Sequence, residues 1–173
     1  MKFDIRLAKS MMEHEEGMNH LWIQISRDEK PAAKPLELQI QLPDGIYRSD
    51  NLNGYAENEQ KRVMLGPLNT EVLFEIYTEE AIKCGEAAIQ VTVFSGEKAI
   101  TQDISLQLVT EDEMDQVRID EQVVERVKTL ETNNDICNSC DKDDMNWLPK
   151  VRIIQSHELS ELEKSYRVDY GNV

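Results

Sequence analysis

From Leu36 to Leu42 the chain alternates without a fault, with Leu36, Leu38, Ile40 and Leu42 separated by Glu37, Gln39 and Gln41. Successive side chains of an extended chain point to opposite faces, so this run has one dry face and one wet face. That pattern suits a strand on a half-buried sheet and suits no helix. The same period of two returns in Phe3, Ile5 and Leu7, in Leu21, Ile23 and Ile25, in Val72, Phe74 and Ile76, and in Ile89, Val91 and Val93. It returns more loosely from Ile100 through Ile104, Leu106 and Leu108, and briefly at Val63 and Leu65. Turn formers stand between these runs: Pro43-Asp44-Gly45, Asn53-Gly54, Gly66-Pro67, Cys84-Gly85 and Ser95-Gly96. Ser95-Gly96-Glu97 is short enough to close a hairpin. About seven short strands with no helical pattern between them predict an all-β fold, an immunoglobulin-like antiparallel β-sandwich spanning residues 1–110.

After Thr110 the period changes. Val123, Val124, Val127 and Leu130 fall at helical spacing, with Glu121, Glu125, Arg126 and Lys128 available for the wet side. The spacing predicts an amphipathic helix over 120–131, capped by Asp120 and stopped at Asn133-Asn134. Three β-branched valines weaken its intrinsic propensity, so it is expected to depend on docking its apolar stripe against the sandwich. Residues 133–146 read as an exposed loop. Trp147, Leu148, Val151, Ile153 and Ile154 then supply apolar anchors, and residues 156–166 a last helix. The expected organisation is a β-sandwich at 1–110 and an acidic, partly helical appendage at 111–173.

The 173 residues carry 19 Lys and Arg against 34 Asp and Glu, a net charge of −15. Residues 1–110 hold 11 basic and 18 acidic side chains, whereas residues 111–173 hold 8 and 16, so the shorter part has more than half of the excess. A surface of this sign repels phosphate backbones and anionic lipid, which argues against nucleic acid as a partner. No segment approaches the ~20 apolar residues of a membrane span, and the opening Met1-Lys2-Phe3-Asp4 lacks the apolar region of a signal peptide. Cytoplasmic location is therefore expected, and the odd count of three cysteines fits a reducing compartment. Two acidic clusters, Glu111-Asp112-Glu113 with Asp115 and then Asp141, Asp143 and Asp144, are either solvated faces or docking strips for a basic protein.

The most specific chemical pattern is Cys137-Asn138-Ser139-Cys140, since two thiolates at this spacing reach one tetrahedral zinc ion. It is half a site, with His157 the nearest further ligand in sequence and Cys84, His14 and His20 the others. The pair reads first as unremarkable exposed thiols, next as a structural metal site or a reversible disulfide pinning its loop, and last as a catalytic pair. No cofactor is demanded by the sequence, and zinc is the metal considered for the pair. The aspartates from Asp135 to Asp144 lack the central glycine and the alternation of a calcium loop. There is no nucleophile elbow and no glycine-rich phosphate loop, so the chain is expected to be noncatalytic. Trp22 points away from Leu21 and Ile23 in its strand and either covers the sheet's outer side or anchors an interface. Tyr77 shares that outer face. Met11, Met12 and Met18 read as core filler or as a soft contact surface.

In order along the chain, the alternating start and acidic loop (Phe3 to Gly17), Leu21-Trp22-Ile23-Gln24-Ile25, the run from Pro35 to Gly45, Val63-Met64-Leu65-Gly66-Pro67-Leu68, and the turn at Ser95-Gly96 resemble the β-sandwich that accompanies von Willebrand factor A domains in bacterial proteins. The segment from Val117 to Val127 resembles the helix that follows that sandwich. The resemblance spans residues 1–131. The D-x-S-x-S metal-adhesion motif is absent, Asp103-Ile104-Ser105-Leu106-Gln107 stopping short of it, so no metal-dependent adhesion and no site residue is implied. What the resemblance does imply is a free-standing binding sandwich, partner to a larger protein of that system. The favoured expectation is a noncatalytic protein-interaction module contacting a protein partner through Trp22, Tyr77, Asp141, Asp143 and Asp144. The alternative is a metal-stabilised or redox-responsive protein working through Cys137, Cys140 and His157.

Overall fold

A computed structural model describes residues 1–27 and 35–138, with side chains described as far as residue 132 of the last helix. Its architecture is an all-β sandwich of two sheets. The first has four strands: β1 (Lys2–Leu7), β3 (Met18–Ser26), β7 (Glu71–Thr78) and β5 (Ile46–Arg48), side by side in the order β1-β3-β7-β5. The second has five, in the order β2-β9-β8-β4-β6: β2 (Met11–Glu13), β9 (Lys98–Val109), β8 (Gly85–Ser95), β4 (Leu36–Gln41) and β6 (Val63–Leu65). Neighbours pair antiparallel except β2, which lies parallel to β9.

The period-two runs form the core. Phe3, Leu21, Ile23, Phe74 and Ile76 from the first sheet meet Leu38, Leu65, Ile89, Val91 and Leu106 from the second, all fully or almost fully buried. The expected hairpin closes on Gly96 and Glu97, with Ser95 paired to Lys98. Two strands, β2 and β5, were not expected. Each has three residues, too few for a period to show, and each is held by the long strand beside it.

A 3₁₀ turn (Glu111–Gln116) leads to one helix, α1 (Glu121–Asn138). Asp120 caps it as expected, its Oδ1 accepting the amides of Gln122 at 3.0 Å and Val123 at 3.4 Å. The stop expected at Asn133-Asn134 is overturned, because the helix runs on to Asn138. Asparagine costs a helix only ~0.7 kcal/mol against alanine, and no Pro or Gly lies between 121 and 138, so nothing local forces an end. Residues 133–138, expected in a loop, are helical backbone.

The apolar stripe of α1 packs against the sandwich. Val123 and Val127 are buried with Ala8, Trp22 and Leu73, and Leu130 joins them from the side. This is a second, smaller core on the outer face of the first sheet, and residues 1–139 form one compact unit. Among the described residues no helix is long and apolar enough to cross a membrane.

Candidate functional site

The outer face of the first sheet is built from rows of residues matched across strands. Trp22 on β3 stands opposite Leu73 on β7, His20 opposite Glu75, and Met18 opposite Tyr77, which in turn stands opposite Tyr47 on β5. Directly opposed side chains on one face lie within contact range. The rows differ sharply in exposure. Trp22 is only 9% exposed and Leu73 is fully buried, because α1 lies over them. At the other end of the face Met18 is 46% and Tyr47 48% exposed, with Tyr77 half-buried between them.

Charged groups fix the covered end. The indole N–H of Trp22 donates to Glu71 Oε2 at 3.0 Å, and Arg126 of α1 donates to Oε1 of the same carboxylate, its Nε at 2.7 Å. From β1, Arg6 places its guanidinium 6.0 Å from the Trp22 ring centre and donates to Gln122 at 2.7 Å. A sheet strand, an indole and the helix are thereby tied at one point.

Backbone geometry fixes the open end. Thr78, buried at the end of β7, accepts the Gly17 amide on Oγ1 at 2.8 Å and donates to the Glu13 carbonyl at 3.1 Å. This closes the turn that leads into Met18. A β-carbon on Gly17 would lie 2.2 Å from the Glu13 carbonyl oxygen, so the turn is too tight for any side chain there. The rings of Tyr47 and Tyr77 have centres 5.9 Å apart and are tilted by 34°, within the range of a favourable aromatic pair. The acidic side chains of Glu16, Glu79 and Glu80 are exposed at the strand ends nearby.

His20 lies between the two ends. Its Nε2 is buried without a hydrogen bond and sits 4.0 Å from Glu75. Burial holds its pKa below the ordinary 6.5, against the upward pull of Glu75 and Glu131.

Of the residues expected to bind a partner, Trp22 lies on the sheet's outer side beneath α1. Tyr77 stays on the accessible part of the face. Asp141, Asp143, Asp144, Cys140 and His157 lie outside the described residues, and Cys137 falls in the last turn of α1, its side chain likewise outside them. Among the described residues no cluster of three or more His, Cys, Asp or Glu could hold a metal ion. Of the three methionines, Met12 is fully buried and only Met18 is strongly exposed. Tyr47 was missed, because its three-residue strand shows no period; the one signal for it is the Pro43-Asp44-Gly45 turn just before it.

No protein-family model matches the chain, and no curated protein does. Solved structures that it is similar to include a conjugative transposon lipoprotein from Bacteroides eggerthii, with a TM-score of 0.45 and 8% identity over 60% of this chain and 95% of that one. BslA, a bacterial hydrophobin, has a TM-score of 0.35 and 12% identity over 62% of this chain and 100% of its own. A structure from the AAF fimbriae of enteroaggregative Escherichia coli, described for fibronectin binding and biofilm formation, has a TM-score of 0.32 and 12% identity over the same shares.

Proposed function

We propose that the chain is a noncatalytic protein-interaction module that meets its partner through the uncovered end of the first sheet's outer face. The observation that carries this reading is the row Met18, Tyr77 and Tyr47, aligned across three strands, with Met18 and Tyr47 exposed and Tyr77 half-buried, whereas the Trp22 and Leu73 row lies under α1. Tyrosine and methionine provide apolar contact area, and the tyrosine hydroxyls keep such a surface soluble until it is covered. Exposed acidic groups at its rim and the net charge of −15 favour a partner with a basic surface around an apolar centre. Proteins with a von Willebrand A domain, the companions implied by the sequence resemblance, are the first candidates to try.

The test is affinity capture with the purified full chain and a Tyr47→Ala/Tyr77→Ala variant, at about 50 mM and about 500 mM salt. The expected result is one stoichiometric partner retained by the unaltered protein at low salt, weakened at high salt and lost by the variant. Equal capture by the unaltered and double-variant proteins would remove the tyrosine row from the interface.

A further inference from the structure

In the second sheet, β4 ends at Gln41 and the chain leaves through Leu42, Pro43 and Asp44 toward β5 in the first sheet. Its neighbour β8 extends five residues beyond that point. Gln41 pairs with Gln90, whereas Gly85 to Ile89 pair only with β9, from Gly85 opposite Leu108 to Ile89 opposite Ile104. A strand offers alternate N–H and C=O groups to its two sides, so the side of 85–89 turned away from β9 presents backbone donors and acceptors with no strand to meet them. Among the described residues, no backbone hydrogen bond outside the strand ladders involves residues 83–89. On this same side of the sheet, outside β4, the edge strand β6 is met by other chain: Glu57 bridges to Val63, and the Met64 amide donates to the Ala56 carbonyl at 2.8 Å.

The free edge borders a cleft of 710 Å³. Its inner side is apolar, formed by Leu42, Ile82, Ala87 and Leu108, and small residues at Gly85, Ala87 and Ala88 keep it wide. Its outer rim carries Asp44, Glu86 and Asp103 against the single cation Lys83. Glu86 is bonded by the Ser105 hydroxyl at 2.6 Å and Asp103 by the Gln90 amide at 3.1 Å, neutral donors that leave both negative charges in place.

We propose that this cleft binds an extended segment of a partner protein as an added strand, in the place that β4 leaves empty beside residues 85–89. The sheet's alternation dictates the sequence of the segment. Side chains turned inward meet the apolar side and must be aliphatic. Those turned outward stand beside Glu86 and the small Ala88, with Asp103 one strand further across the rim, and should be Lys or Arg. Five residues of edge correspond to about 17 Å of added strand. The cleft lies on the second sheet and does not involve the tyrosine row, so it stands or falls separately from that face.

The probe is the blocked peptide acetyl-Lys-Val-Lys-Val-Lys-Val-amide, titrated into the full chain by isothermal calorimetry, with amide exchange followed at residues 85–89. Saturable binding is expected, with slowed exchange of those amides. The Glu86→Lys/Asp103→Lys variant should weaken binding at least about tenfold, and so should replacing lysine by glutamate in the peptide. N-methylation of alternate peptide amides, in one register or the other, should also weaken it about tenfold, since it removes main-chain donors. Tyr47→Ala/Tyr77→Ala should leave the peptide affinity unchanged. The proposal is overturned by absence of saturable binding, by unchanged exchange at 85–89, or by full affinity of the peptides N-methylated in both registers.

Discussion

The carboxylate of Glu71 on β7 accepts the indole N–H of Trp22 at 3.0 Å, on the face of the sheet that α1 covers. Its second oxygen is bonded by Arg126 from α1 itself, so one acidic side chain joins strand, indole and helix. Replacing Glu71 by Ala leaves the buried Trp22 N–H without a partner and frees Arg126. The expected cost is about 2 kcal/mol, since an unsatisfied buried donor loses its full solvation. In hydrogen exchange, the amides of α1 should lose protection before those of β3 and β7. Simultaneous loss of protection in helix and sheet would show that the helix has no separate opening motion.

The helix contributes its own apolar share. Val123 is fully buried and Val127 is 5% exposed, both against Trp22 and Leu73. Val123→Ala removes two methyl groups and should cost about 2 kcal/mol, read as a lower denaturant midpoint with an unchanged slope. Glu125→Ala, on the exposed side, should change stability by no more than about 0.5 kcal/mol. Because Val123 and Glu71 hold the same helix, their combined loss should be less than additive.

How much of this was legible in sequence depends on the length of each run. The alternation in Leu21, Ile23 and Ile25 and in Val72, Phe74 and Ile76 named the core faces correctly, because burial on one side of a sheet imposes a period of two. The valine stripe likewise named the face of α1 that docks, and Asp120 its cap. The helix end was misread because asparagine is a weak stop without glycine or proline behind it. Neither the covering of Trp22 nor the exposure of Tyr47 was legible. Whether an outward residue meets solvent depends on where α1 lies, and that is set by partners far apart in the chain, Arg126 on Glu71 and Arg6 on Gln122. The empty strand position beside 85–89 depends on β4 ending before β8 does, a difference in length that pairing alone reveals.

Acid should destabilise the fold in two steps. His20 has a folded pKa below its ordinary 6.5, chiefly through burial, so the unfolded chain binds this proton more readily. Its neutral form is accommodated above 6.5, and stability falls as pH drops from 6.5 toward the lower folded value. Glu57 is held below its ordinary 4.5 chiefly by its hydrogen bonds from Arg48, at 2.9 and 2.8 Å. Its contribution is complete above 4.5 and is lost as pH falls through the folded value beneath it. Denaturant midpoints measured from about pH 7 to about pH 3 should show both declines. His20→Gln should flatten the upper one alone, and Glu57→Gln the lower one alone.

The turn that presents Met18 should be intolerant of a single methyl group. A β-carbon on Gly17 would stand 2.2 Å from the Glu13 carbonyl oxygen and 2.9 Å from its carbon and nitrogen, all backbone atoms that no rotamer change can move aside. Gly17→Ala must therefore open the turn and break one or both of the Thr78 hydroxyl bonds, to the Gly17 amide and the Glu13 carbonyl. The expected loss is about 3 kcal/mol, in the range of overpacked or strained sites. Gly54→Ala is the matched control, since its φ is +71° but nothing lies within 4 Å of the added carbon, so only left-handed strain of about 1 kcal/mol applies. If the two variants have equal midpoints, the tightness of the turn contributes nothing. If Gly17→Ala is the weaker and also reduces partner capture at temperatures where it remains folded, the turn sets the position of Met18 in the exposed row.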